Sequence, residues 1–174
     1  MPLKPLKLLV IAGRRGRVTV KYPYKEPIVT PEFRGEVEID PAKCIGCGAC
    51  VKACPPNALE IVESEREIIL RYFVGRCIFC WRCVDVCPVG AIKGTRNFEL
   101  ATDKYTDLYT LVAHSRVTCE ACGKPVETTR MRRYVVEKVQ VAEEYVYLCP
   151  DCRRRVFAER VSARRVGSSE LEEQ

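Results

Sequence analysis

The sequence predicts an α+β fold built on an internally duplicated unit, and three observations predict it. Two four-cysteine runs, Cys44 to Cys54 and Cys77 to Cys87, repeat at a constant offset of 33 residues. Stretches of period-two alternation, Glu36-Val37-Glu38-Ile39 and Leu59-Glu60-Ile61, flank the runs as short half-buried strands do. The 174 residues, 47% of them hydrophobic, suffice to bury a core in one medium domain or two small ones, which excludes a wholly disordered chain.

Taken in order, residues 1–35 read as a basic arm. The first 25 residues hold seven cations (Lys4, Lys7, Arg14, Arg15, Arg17, Lys21 and Lys25) and no acid, within a formal net charge of +6. Such an arm suits an anionic lipid surface or an acidic partner, with a solubilising tail as the simpler alternative. Pro23, Pro27 and Pro31 favour extended chain after a short apolar start. That start, Leu8 to Ala12, is far too short to span a bilayer and no small-residue cleavage site follows it. A cytoplasmic protein is expected, with any membrane link peripheral. Residues 36–97 hold the repeat, whose apolar matches run past the cysteines: Ile45 with Ile78, Val51 with Val84, Ala58 with Ala91, Leu59 with Ile92. Ile68 to Phe73 reads as a further strand, and one helical turn is expected after each third cysteine. Residues 98–115 read as a connector with helical tendency, since Leu100, Leu108, Leu111 and Val112 fall roughly on one face. Residues 116–166 carry a second cysteine group, and residues 167–174 are expected to be a disordered tail. Scarce Asn and Gln (Asn57, Asn97, Gln140, Gln174) beside plentiful charge hint at a thermophile.

The twelve cysteines all lie in tight local clusters at ligand spacing, which favours metal ligation over a secreted disulfide framework. Each run of the repeat is Cys-x2-Cys-x2-Cys-x3-Cys-Pro, the bacterial-ferredoxin pattern for two [4Fe–4S] clusters. Three cysteines at intervals of three residues reach three corners of one cubane. The fourth starts the next helical turn, points away, and in two-cluster proteins ligates the other cluster. The expected ligands are therefore Cys44, Cys47, Cys50 and Cys87 for cluster one, and Cys77, Cys80, Cys83 and Cys54 for cluster two. Pro55 and Pro88 turn the chain where the helical pattern breaks. Gly46 and Gly48 let the backbone approach the sulfides. Structural zinc is disfavoured here, because zinc knuckles use pairs of cysteines rather than runs of four. Lys43, Arg76, Arg82, Lys93 and Arg96 lie near the motifs and either offset cluster charge or are simply solvated. Phe79 and Trp81 stand where the first loop has glycines. Core packing is the reading for Phe79; for Trp81, shielding of the cluster and contact with a partner both stay open.

Cys119-x2-Cys122-Gly123 and Cys149-Pro150-x-Cys152 form two knuckles with 26 residues between them. Four thiolates on two such turns make a tetrahedral site for Zn²⁺ or a single iron, in a zinc-ribbon or rubredoxin-like module. Zinc is preferred because closed structural four-thiolate sites are common. Arg153, Arg154, Arg155, Arg160, Arg164 and Arg165 follow. They read as a docking surface for an acidic partner subunit rather than a nucleic-acid site, because cubanes in the same chain point to redox work. No catalytic constellation is evident. The one histidine, His114, lies outside the motifs and reads as structural, and there is no phosphate-binding glycine loop. The chain reads as a wire, with substrate chemistry elsewhere.

The motifs resemble the ferredoxin-like subunits of respiratory complex I and of membrane-bound [NiFe] hydrogenases. The likeness extends to Tyr22-Pro23, Phe33-Arg34-Gly35, Phe98-Glu99-Leu100-Ala101 and Asp107-Leu108, and spans about residues 18–112. The two added Cys-x2-Cys pairs are similar to those in the ferredoxin-like subunit of formate hydrogenlyase and hydrogenase-4 complexes. That resemblance implies an electron relay between an input subunit (formate dehydrogenase or a ferredoxin-like protein) and the hydrogenase small subunit. Proton reduction would occur at nickel–iron in the large subunit. It also implies that the segment around Leu3, Leu6, Leu9 and Val10 lies along complex I-like membrane subunits, on the cytoplasmic side. Membership of another complex I-like oxidoreductase, or a free ferredoxin with an accessory zinc ribbon, are the alternatives.

Overall fold

A computed structural model describes residues 4–17, 19–139 and 143–169. It comprises two units, Met1–Phe33 and Arg34–Gln174. In the first, helix α1 (Lys4–Arg15) carries Arg14 and Arg15 in its last turn, where cations complement the helix dipole. Leu6, Leu8, Leu9, Val10 and Ile11 are all exposed on it. Irregular chain follows. Leu3 lies outside the described residues.

The second unit is built from two antiparallel sheets. Strands β1 (Val37–Ile39) and β4 (Ile92–Gly94) pair Val37 with Gly94 and Ile39 with Ile92. Strands β2 (Leu59–Glu63), β3 (Glu67–Phe73), β5 (Tyr109–Thr118) and β6 (Pro125–Thr128) form the second sheet in the order β2-β3-β5-β6. Alternation directs the apolar sides inward: Val37 and Ile39 are buried around exposed Glu38, and Ile68, Leu70 and Tyr72 alternate on β3. Val37, Ile39, Leu70 and Tyr72 join Leu59, Ala58, Ala91, Ile92, Val74 and Val112 in one core that includes Cys44, Cys50 and Cys83. Helical turns α2 (Ala49–Ala53) and α3 (Arg82–Asp85) follow the third-cysteine loops. Helices α4 (Thr129–Lys138), α5 (Glu143–Val146) and α6 (Pro150–Ser169) complete the chain.

The structure departs from the sequence reading in two places. Residues 98–115 do not form a helix: a short 3₁₀ turn (Tyr105–Leu108) leads into β5. The helical reading placed Leu111 and Val112 on one face, but Leu111 is 61% exposed and Val112 4%, the opposite faces of a strand. Pairing with β3 over seven residues, Glu67 with Ser115 through Phe73 with Tyr109, overrides the weak helical periodicity. Because β5 runs on to Thr118, it crosses the expected boundary at residue 116 and joins the second cysteine group to the same sheet. In addition, α6 continues through Ser169, three residues into the expected tail. Residues 170–174 lie outside the described residues.

Trp81 packs within the unit. Its indole N–H donates to the Gly35 carbonyl at 3.0 Å, and its ring lies over Gly94 so closely that a methyl there would collide with it. Gly94→Val is expected to cost about 1–3 kcal/mol through overpacking. The readout is bleaching of the visible cluster absorbance at a lower temperature than in the parent protein.

Candidate iron–sulfur and metal sites

The first loop begins at Asp40, whose Oδ1 accepts the N–H groups of Ala42 at 2.9 Å and Lys43 at 3.3 Å. These bonds hold its carboxyl below the usual range despite opposing desolvation. The backbone then turns through Gly46 (φ 70°) and Gly48 (φ 71°), the left-handed region glycine adopts freely. The second loop makes the same turns without glycine: Phe79 (φ 53°) and Trp81 (φ 60°) are the matched positions. Asn57 (φ 52°) and Gly90 (φ 59°) repeat the correspondence beyond the fourth cysteines. Left-handed non-glycine residues cost roughly 1–2 kcal/mol each, so the loop geometry overrides local preference.

Two cavities result. One is lined by Cys44, Cys47, Cys50 and Cys87 with Ile61, Leu70 and Ile92. The other is lined by Cys54, Cys77, Cys80 and Cys83 with Leu59 and Tyr72. Each draws three cysteines from one loop and one from the other. The fourth cysteines are held alike, with Ala58 N–H donating to Cys54 Sγ and Ala91 N–H to Cys87 Sγ, both at 3.2 Å. Burial, reinforced by neighbouring cysteines, pushes the Cys50 thiol up to about 12 and the Cys83 thiol to about 11. Burial likewise raises Cys44. Among the described residues none of the twelve cysteines is disulfide-bonded. Four thiols converging in each cavity are suited to a cationic iron core that displaces their protons. The donor set therefore fits [4Fe–4S] clusters.

The neighbouring cations are not all spent on these loops. Lys43 reaches Asp40 at 3.7 Å, and Arg76 donates to the Asn57 carbonyl at 3.2 Å and lies over Phe73. Arg34, unremarked in the motif reading, donates to the Cys80 carbonyl at 3.1 Å.

The second cysteine group is brought together completely: the Sγ atoms of Cys119, Cys122, Cys149 and Cys152 all lie within 4.8 Å of one another. Cys122 and Cys149 are 3.6 Å apart, close to the ~3.8 Å edge of a tetrahedron with 2.3 Å metal–sulfur bonds. The first pair sits in the turn between β5 and β6, and the second opens α6, so one knuckle belongs to a hairpin and the other to a helix. Burial opposes ionisation of Cys119, but N–H groups of Cys149, Cys122 and Ala121 outweigh it and bring the thiol down to about 6. The Cys152 N–H lowers Cys149, whereas Cys152 itself, its thiol hydrogen-bonded to Cys149 and desolvated, is pushed up to about 12. Arg155 donates to Cys152 Sγ at 3.6 Å. Arg153 pairs with Glu127 at 2.7 Å, Arg154 with Asp151 at 2.6 Å, and Arg160 with the Tyr145 hydroxyl at 2.8 Å. Much of the arginine flank is therefore engaged within the chain. Side chains of Arg164 and Arg165 lie outside the described residues.

His114 lies on β5, 5% exposed, with Nε2 lacking a hydrogen-bond partner among the described residues. Burial, with the Arg130 charge, lowers its pKa below the ordinary 6.5. The unfolded chain then takes up the proton first, so the stability this group contributes is full above about pH 6.5 and declines as pH falls towards the lower folded value. His114→Gln is expected to flatten the dependence of thermal midpoint on pH between about 6.5 and 5.

The 4Fe-4S dicluster domain family matches residues 43–91, which contain all eight cysteines of the duplicated runs. The chain is 36% identical over 152 residues to formate hydrogenlyase subunit 6 of Escherichia coli, covering 82% of this chain and 84% of that protein. It is 40% identical over 124 residues to the NAD(P)H-quinone oxidoreductase subunit I of Thermosynechococcus vestitus, covering 66% and 63%. A chain in the structure of the membrane-bound sulfane sulfur reductase, an archaeal respiratory membrane complex, is similar at 36% identity with a TM-score of 0.43, covering 60% of this chain and 57% of that one. Duplicated loops, cubane-fitting cavities and relatedness over most of both lengths agree: the chain belongs to the family of formate hydrogenlyase subunit 6, and is an iron–sulfur electron-transfer subunit of an oxidoreductase complex.

Proposed function

We propose that this chain relays electrons through two [4Fe–4S] clusters to or from the small subunit of a membrane-associated [NiFe] hydrogenase complex. The reading rests above all on the paired cavities, each lined by three cysteines of one loop and the fourth of the other. Cys44, Cys47, Cys50 and Cys87 would hold cluster one; Cys77, Cys80, Cys83 and Cys54 would hold cluster two. Bound there, the clusters supply one-electron redox chemistry. The chain's residues supply ligands, a dry apolar wall from Leu59, Leu70, Tyr72 and Ile92, and N–H donors to sulfur. Relatedness to formate hydrogenlyase subunit 6 over 84% of its length favours the hydrogenase assignment over a quinone-reducing complex, with formate dehydrogenase or a ferredoxin-like protein as electron donor.

No described helix is long and apolar enough to cross a membrane. The exposed apolar residues of α1, beside Lys7, Arg14 and Arg15, would lie against complex I-like membrane subunits or the lipid surface on the cytoplasmic side. Zn²⁺ would occupy Cys119, Cys122, Cys149 and Cys152 as a structural ion, the hairpin-and-helix module acting as a docking element. The domains of this reading would be an arm over 1–35, a ferredoxin-like unit over 36–97, a connector over 98–115 and a four-cysteine module over 116–166, with β5 running from the connector into the module.

The test is anaerobic purification of the native assembly with metal analysis. About eight iron and eight sulfide per chain are expected, one zinc, and co-elution with nickel. A chain eluting at its own mass without nickel would remove the hydrogenase assignment.

A further inference from the structure

The two cubane loops are copies in sequence, yet the rest of the chain treats them differently. Ile45 is 7% exposed; its counterpart Ile78 is 60% exposed. The junction of β6 and α4 is bonded to the backbone of this first loop. Thr128, almost fully buried, donates its hydroxyl proton to the Ile45 carbonyl at 2.5 Å and accepts the Met131 N–H at 3.0 Å as the cap of α4. Arg130 donates to the carbonyls of Pro41, Ala42 and Cys44. Gly46 lies so close to Thr128 and His114 that an added Cβ would meet Thr128 Cγ2 at 2.8 Å and the imidazole at 3.0 Å. Three side chains beyond the cubane motifs thus grip the backbone between Pro41 and Gly46.

The same junction is tied to the four-cysteine site. The Cys119 N–H bonds to the Lys124 carbonyl at 2.8 Å, closing the knuckle into β6. On β6, Arg153 of α6 holds Glu127 at 2.7 Å, and Arg116 of β5 holds the Val126 carbonyl at 2.6 Å. A metal drawing Cys119 and Cys149 together therefore fixes β6, and β6 delivers Thr128 to the first loop.

We infer that the Thr128–Arg130 junction is a latch through which the four-cysteine module positions the cluster-one loop, making retention and potential of cluster one depend on that module while cluster two is independent of it. This rests on the two-cluster reading above. Thr128 and Arg130 are positioning residues: neither is a ligand. Losing the Thr128 hydroxyl leaves a buried carbonyl unpaired and lets the loop open. The Arg130 charge beside the Cys44 carbonyl favours the more negative, reduced cluster.

The experiment uses the full-length chain with its clusters, following each EPR signal separately. Thr128→Val is expected to speed chelator-driven loss of cluster one about tenfold, with cluster two unchanged and Thr128→Ser restoring the parent rate. Should Thr128→Val not fold, Arg130→Gln on the exposed surface carries the test. It should lower the reduced-to-oxidised ratio of cluster one about threefold at fixed potential, cluster two should not move, and Arg130→Lys should recover most of the shift. Equal effects on both clusters, or none on cluster one, overturn the latch. A parent chain that binds no cubanes overturns the functional reading and the latch with it; two cubanes with no asymmetry overturn the latch alone.

Discussion

Replacing Cys54 with serine abolishes or strongly perturbs the cluster held by Cys77, Cys80 and Cys83, not the one nearest Cys54 in sequence. This is the largest effect expected from any single substitution in the ferredoxin unit. Cys54 lines the cavity of the second loop, where the Ala58 N–H steadies its sulfur. By the same symmetry Cys87 lines the cavity of the first loop. EPR of the reduced protein checks the crossing: the signal lost in Cys54→Ser should be the one lost in Cys80→Ser. Cys87→Ser should match Cys47→Ser. The opposite pairing refutes the crossed ligand set.

Removal of the metal from the four-cysteine site comes second. Among the described residues, the buried cluster there contains Cys119, Cys149 and Cys152, with Val126 and Leu148 packed against it. That is too little apolar surface to hold a hairpin turn against a helix, whereas a structural four-thiolate zinc site contributes on the order of 10–16 kcal/mol. Cys149→Ser is expected to release the metal and unfasten α6 from β6, breaking the Arg153–Glu127 pair. Limited trypsin digestion should then cut among Arg153, Arg154 and Arg155 well before the ferredoxin unit is attacked, and metal analysis should show one metal ion fewer at this site. Cleavage at the parent rate after metal loss would show that the hairpin and helix hold without it.

Both effects have one origin. In the proposed reading, ligand sets are assembled from distant parts of the chain, so each metal would fasten residues far apart in sequence. The cubanes would join the two halves of the repeat, and an ion in the four-cysteine site would join the β5–β6 turn to α6. The β2-β3-β5-β6 sheet then carries the second fastening to the first.

The duplicated runs, their flanking strands and the four-cysteine pairs were legible in the residues alone, as was the grouping of cysteines that line each cavity. Cysteine spacing, glycine placement and two-residue alternation act over a few bonds, and their geometry follows from covalent connection. Non-local pairing was not legible. The weak helical face read over residues 98–115 gives way to strand over 109–118, because β3 offers an edge that pairs with it along seven residues. Trp81 was open in the sequence and is fixed by Gly35 and Gly94. Thr128 and Arg130 look like any helix start and any surface cation until the sheet brings them, some 83 and 86 residues along the chain, onto Ile45 and Cys44. Sequence thus determined which thiols gather into candidate metal sites, because ligand spacing is local. The tertiary structure decided that the two matched loops have different surroundings, because only long-range strand pairing can set one copy beneath the C-terminal module and leave the other open.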